Sequence, residues 1–222
     1  MNICVVTPYF HTPPAWLAQC HASVRAQTVS AHHILVCDGS PPATVQEFNG
    51  THIVLQRNYA DYGNTPRFIG CYQAIAQGAD AIAFLDSDNW YYPDHLQALA
   101  QAMTLLGWDA ACSARMLHRL DGSVLGRCPH VSGMERIDTS GLMVFRPAFP
   151  HLVAWVLQPQ QIAAEVDQTL WTFLHQRGVS GGFLDRPSLA YRTRHAVHYL
   201  AAGETPPEGT IRRTDLHGAH YQ

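Results

Sequence analysis

The stretch AIAFLDSDNWYYPDHL, residues 81–96, decides how this chain is read. Ala81 to Leu85 is a short apolar run with polar neighbours, the pattern of a buried strand. It stops abruptly at Asp86-Ser87-Asp88-Asn89. Pro93 then opens a helical pattern at a position where a missing N–H is harmless. Acids at the carboxyl end of a central strand lie where open α/β sheets bind ligands. Their hard oxygens suit Mg2+ or Mn2+, ions held by a few carboxylates together with substrate phosphates. On their own, Asp88 and Asn89 read equally well as solvated turn and cap residues, so the rest of the chain must decide.

Upstream, strand and helix patterns alternate. Ile3 to Thr7 is an apolar, β-branched run that Pro8 should end. Pro14 to Gln27 has helical spacing at Trp16, Leu17, Cys20 and Val24. His33 to Cys37 reads as a second buried strand, stopped by Asp38-Gly39-Ser40-Pro41-Pro42. A short helical piece is expected over 43–48 and a weaker strand over His52 to Gln56. Thr65 to Gln77 reads as a helix with Thr65 as N-cap and Pro66 first inside. Pro93 to Leu106 carries an apolar stripe at Leu96, Leu99, Ala100, Met103 and Leu106. Such alternation predicts an α/β fold with a mostly parallel sheet flanked by helices.

Beyond 108 the pattern changes. Asp121-Gly122 between two strand patterns signals a hairpin. Thr139 to Phe145 and Ser188 to Arg194 read as strands, and Glu165 to Arg177 as a helix closed by Gly178. The expected organisation is one domain over 1–203. An alternating 1–108 half is followed by a smaller, mixed 109–203 half. The polar segment 204–222 is expected to be a flexible tail or lid.

Composition narrows the function classes. With 222 residues, 47% of them hydrophobic, the chain can bury a sizeable core. A net charge of −3 gives no basic face for nucleic acid. The six cysteines show no zinc spacing, and several lie in apolar runs, which fits buried free thiols in a reducing compartment. No apolar run approaches the roughly 20 residues of a membrane span. No leader pattern precedes the first strand. The expected location is cytoplasmic, with peripheral membrane contact open.

Thr7, Asp38, Arg67, Asp86 and Asp88 all fall at strand ends or at a helix start. In a parallel sheet the carboxyl ends share one edge, so these groups can meet on one ligand. An Asp accepts from a pyrimidine N–H, an Arg holds phosphate, and a cation on Asp88 bridges a diphosphate. Together they describe a nucleotide-diphosphate site. Taken singly, Asp38 is as well an Asx-turn residue and Thr7 a cap.

With these residues in place, the chain resembles the family-2 glycosyltransferases, enzymes of the GT-A fold. The resemblance rests on ICVVTPYF, QTVSAHHILVCDGS, NTPRFIGCYQAIAQGADAIAFLDSDNWYYPDHL and IDTSGLMVFRPAF, and it runs to about His198. It implies an inverting, metal-dependent sugar transfer from a nucleoside-diphosphate sugar, UDP-linked, in surface glycan assembly. The acceptor would be a glycan, lipid-linked or other hydroxyl. By the resemblance, Thr7, Pro8, Tyr9, Asp38, Arg67, Asp86 and Ser87 bind nucleotide, with Asp38 on uracil. Only the second acid of the family's pair after strand two is kept, behind Cys37. Asp88 holds Mn2+ or Mg2+, with Asp86 and either His195 or His198 as further ligands. Asp167 is the expected base, with Glu165 in reserve. Gly141, Leu142 and Trp90 are expected on the acceptor or sugar side, and Arg192 or Arg194 on the diphosphate. Gln168 and Trp171 lack the Arg of the processive QxxRW signature, which points to single transfers.

Two other classes compete. A nucleotidyltransferase would want a Gly-rich phosphate loop after strand one, and VVTPYFHTPP has none. A binding protein of the same fold without chemistry fits Cys37 and the split Glu165/Asp167 pair. A dinucleotide-dependent dehydrogenase is disfavoured because no GxGxxG follows a strand.

Overall fold

The computed structural model describes residues 1–39, 41, 48–129, 137–157 and 166–212, without the side chains of Val166 and Asp167. Three parallel pairings build the first half. β1 (Ile3–Tyr9) lies between β2 (Ala31–Cys37) and β4 (Ala81–Phe84), and β3 (Thr51–Val54) adds outside β2. α1 (Pro14–Arg25) and α2 (Asn64–Ala76) make the crossovers. Then follow β5 (Trp90–Tyr91), α3 (His95–Leu106), β6 (Ala110–His118), β7 (Val124–Arg127), β8 (Leu142–Phe145), α4 (Ala154–Leu157), α5 (Val166–Gln176), β9 (Gly181–Arg192) and α6 (Ala196–Ala201). Among the described residues the sheet order is β3-β2-β1-β4-β8-β6-β9-β5, with β7 hairpinned onto β6. β8 runs antiparallel between β4 and β6, whereas β9 is parallel to β6. This is the α/β architecture expected, with its mixed part after residue 108.

Period-2 alternation sends side chains to opposite faces. Cys4, Val6, Ile82 and Phe84 pack with Cys71, Ala74, Trp155 and Leu170 on one face. Ile3, Val5, Ala81 and Ala83 pack with Cys20, Val24, Leu96 and Leu99 on the other. α2 rides so low on β1 that a Cβ on Gly70 would fall 2.3 Å from Val6 Cγ1. All six cysteines are free and buried, as their apolar neighbours predict.

Several boundaries differ from expectation for local reasons. Pro8 does not end β1. Val6 O accepts from Leu85 N, and Tyr9 O accepts from Asp38 N. Pro8 therefore turns its missing donor toward β4, whose ladder has already stopped at the Val6–Phe84 pair. Thr65 is not the N-cap of α2, because the helix begins at Asn64 after Gly63, which has a left-handed φ of +81°. The Asp61 carboxylate instead accepts from Thr65 N at 2.8 Å and from its hydroxyl at 2.6 Å. Pro93 precedes α3 by two residues, and Thr139–Gly141 forms a 3-10 turn before β8. β9 is longer than read, since the parallel ladder with β6 extends it back to Gly181. The helical piece over 43–48 lies outside the described residues except for Phe48. The start of the polar C-terminal segment is attached: Glu204 pairs with Arg119, and Ile211 bridges to His195.

Candidate functional site

The loop Asp86–Asn89 leaves β4 where β8 no longer accompanies it, and polar groups from distant segments hold it. Ser140 Oγ, on the 3-10 turn, accepts from Asp86 N at 3.1 Å and from Asn89 Nδ2 at 3.0 Å. Asn89 Oδ1 accepts from Arg192 N at 2.9 Å. Asn89 N closes a turn on Asp86 O at 3.0 Å. Ser87 shares a 2.6 Å hydrogen bond with Thr12. The 3-10 turn is itself fixed by Asp138, whose carboxylate accepts from Ser140 N at 2.8 Å and pairs with Arg115. Arg115 stacks 4.0 Å over the Tyr191 ring. Burial pushes the Asp138 carboxyl up, against the pull of Arg115. Ser140, Asp138 and Arg115 were not singled out from the sequence. Their partners lie up to 54 residues away, beyond any local pattern, although DTS directly precedes the GLMVF strand.

Asp86 and Asp88 diverge in partner. Arg67 donates to Asp86 Oδ1 at 2.5 Å, to Tyr62 O at 2.9 Å and to Asn64 Oδ1 at 3.2 Å, and its guanidinium lies 5.2 Å from the Trp155 ring. Asp88 is half-buried, and burial together with the Asp86 charge pushes its carboxyl up to about 6; Arg194 pulls the other way. Asp38, at the end of β2, is buried and accepts from Tyr59 N at 3.0 Å. Burial raises its carboxyl too. The backbone around these acids is strained. His11, Ala60 and Tyr62 hold positive φ of 48°, 53° and 58°, in the loops after β1 and before α2. Such outliers concentrate at ligand sites.

Six expected positions are buried or packed against other side chains of the fold. Thr7 is fully buried; its hydroxyl shares a 2.8 Å bond with His33 Nε2. Pro8 and Tyr9 are buried inside β1, and Tyr9 Oη is bonded to His52 with the two rings stacked. Strand pairing two residues beyond the expected end draws all three into the sheet. Gly141 and Leu142 are likewise buried. Gly141 is closely packed: a Cβ there would lie 3.1 Å from Ser113 O and 3.2 Å from Cys112 Sγ, so those neighbours would have to shift by a few tenths of an ångström. Trp90 has Arg192 over its ring at 4.9 Å and the His118 edge at 4.5 Å, so packing occupies it.

His198 is buried, with Nδ1 and Thr193 Oγ1 sharing a hydrogen bond of 2.6 Å. His195 is half-buried and close enough to Asp138 and Arg115 to feel both charges. Arg192 points inward and Arg194 is exposed, its guanidinium 5.1 Å over Trp16. Asp167 is the second residue of α5. Its side chain and all of Glu165 lie outside the described residues.

Among the described residues no group of three or more His, Cys, Asp or Glu side chains is placed to hold an ion. The donor set that fits a divalent cation is therefore small. Asp88 is its strongest member, a carboxylate raised by burial and by the neighbouring Asp86 charge, both of which a cation would offset. A shell of one carboxylate completed by diphosphate oxygens and water is ordinary for Mg2+ or Mn2+.

A parallel β-α half ending in Asp38 and Asp86-Ser87-Asp88, followed by a mixed half that braces the second acid loop, defines a GT-A-type domain. Crystal structures of S. aureus TarS have this fold: one matches with a TM-score of 0.66 at 15% identity, over 90% of this chain and 38% of TarS. Structures of TarS in complex with UDP and with UDP-GlcNAc each match with a TM-score of 0.63. The latter match covers 89% of this chain and 60% of that one. The Glycosyl transferase family 2 model matches residues 4–153, and the chain belongs to that family. The succinoglycan biosynthesis protein ExoW of Rhizobium meliloti is 34% identical over 120 residues, covering 50% of this chain. The chain spans only 36% of ExoW's length. No helix among the described residues is long and apolar enough to cross a membrane.

Proposed function

We propose that this chain is an inverting, non-processive glycosyltransferase that takes a sugar from a UDP-linked donor and places it on an acceptor hydroxyl in surface glycan assembly. The observation that carries this reading is the meeting of Asp38, the Arg67–Asp86 pair and Asp88 on one sheet edge of a family-2 chain. The UDP and UDP-GlcNAc complexes of TarS support a uridine donor, and ExoW's name supports polysaccharide assembly.

Asp38 accepts the uracil N–H, and burial keeps that acceptor out of competition with water. Arg67 holds Asp86 in place beside the nucleotide. Asp88 supplies the carboxylate for Mn2+ or Mg2+. A bound ion of this kind neutralises charge on the departing diphosphate. Arg194, exposed beside Asp88, meets the diphosphate from the side of Trp16. Asp167, in the first turn of α5, takes the proton of the acceptor hydroxyl. The acceptor oxygen bonds to the anomeric carbon as the bond to the diphosphate breaks on the opposite face, which inverts configuration.

The test is Asp167→Asn, assayed for both transfer and UDP binding. Transfer should fall by about two to four orders of magnitude, with donor affinity unchanged. Normal turnover would remove Asp167 from its role. A thermal-shift series with UDP, GDP, ADP and dTDP, each with and without Mn2+, tests the donor. Stabilisation of about 2.7 kcal/mol is expected for UDP at a hundredfold excess over its dissociation constant. No shift with any nucleotide would favour a binding fold without this chemistry.

A further inference from the structure

The two late arginines, two residues apart, have opposite surroundings. Every nitrogen of Arg192 that the chain can use is occupied. Its amide donates to Asn89 Oδ1 at 2.9 Å, Nε to Asp88 O at 3.1 Å, Nη1 to Leu120 O at 2.7 Å and Nη2 to Gln19 Oε1 at 2.5 Å. The guanidinium carbon lies over two indole rings, Trp16 at 4.6 Å and Trp90 at 4.9 Å. Three of its five side-chain N–H groups are engaged, and with the residue only 4% exposed the remaining two have little access to a phosphate.

We infer that Arg192 is a positioning residue: it sets the Asp88-Asn89 backbone from behind, joining that loop to α1 and to the β6–β7 turn, and does not meet the donor itself. The inference rests on the donor reading above for its consequence, but the lock on the loop stands without it. Asp88 is held through its carbonyl, so its carboxylate leaves the loop in a direction that Arg192 fixes. Lysine cannot replace this arrangement, since one ammonium reaches one or two of three acceptors that diverge in space, and it does not stack as a plane.

The experiment is amide hydrogen exchange of the ligand-free full chain, with UDP binding measured in parallel with and without Mn2+. In Arg192→Met, exchange across residues 86–92 should quicken by about tenfold or more, with α3 and β2 unchanged. Arg192→Lys should recover only part of the protection. Mn2+-supported UDP binding should weaken by about tenfold, more than binding of UDP alone. Should Arg192→Met fail to fold, Gln19→Ala removes one acceptor from an exposed position and should quicken the same segment by a few-fold only. Unchanged exchange at 86–92, or a uniform rise across every segment, overturns the positioning role. If the unaltered protein binds no nucleotide, the donor reading fails while the exchange result still decides the role of Arg192.

Discussion

β1 and β4 are neighbours and end on the same edge, yet their last residues have opposite fates. β1 has β2 beside it as far as Cys37, so Thr7, Pro8 and Tyr9 stay in the ladder and bury their side chains. β4 loses β8 after Ala83, and Asp86 to Asn89 peel away into a loop that Ser140 and Arg192 must hold. Position at a strand's carboxyl end is therefore not enough to make a residue a ligand. What matters is whether a neighbouring strand continues alongside. Where it does, polar side chains become part of the core; where it stops, they become available chemistry.

Asp88→Ala tests the second case most severely. Mn2+-dependent UDP binding and transfer should fall by about a hundred- to a thousandfold while the melting temperature holds, measured by isothermal titration and a transfer assay. An Asp88 variant with normal affinity would erase the contrast between the two strands. Gly70→Ala probes the packing that places both. A Cβ 2.3 Å from Val6 Cγ1 must move α2 or β1, at about 1–3 kcal/mol of stability, read from denaturant unfolding.

Acid provides a third test. His33 and His95 are buried, and burial lowers both rings to about 3. Unfolded, each takes up its proton near pH 6.5. Stability is therefore fully present above about 6.5 and declines as pH falls toward 3. The loss is about 1.4 kcal/mol per ring for each pH unit, measurable as urea midpoints at pH 7.5 and 5.5. Thr7→Val gives the smallest effect and the sharpest contrast with Asp88. Removing the hydroxyl that His33 bonds should cost about 1 kcal/mol and leave UDP affinity unaltered.

The alternation of strands and helices was legible because apolar runs such as ICVVT, HILVC and AIAFL are read one residue at a time, and their periods survive any tertiary context. The DSDN loop was legible for the same reason: an apolar run that stops on acids announces an edge. Thr7 and Tyr9 lie deeper in the sheet than the sequence suggests, because Pro8 looks like a terminator unless one knows which side of β1 has already lost its partner. Smallness at Gly141 signals close approach without saying of what, and in the fold the approaching groups are Ser113 O and Cys112 Sγ of β6. Ser140, Asp138 and Arg115 left no local trace, since each acts on a residue in another part of the chain. Arg192 and Arg194 are alike in sequence and differ only in burial, which no spacing rule can assign.

The bond from Arg192 to Gln19 joins residues 173 positions apart. It has a temporal consequence. During synthesis the first half emerges with Asp38, Arg67, Asp86 and Asp88 already in the chain, and its local βα units can form early. The clasp on the acid loop closes only when β9 arrives, 104 residues after Asp88. The setting of the acid loop thus waits for β9, and a chain truncated before β9 would contain Asp38, Arg67, Asp86 and Asp88 without the Arg192 clasp on the loop.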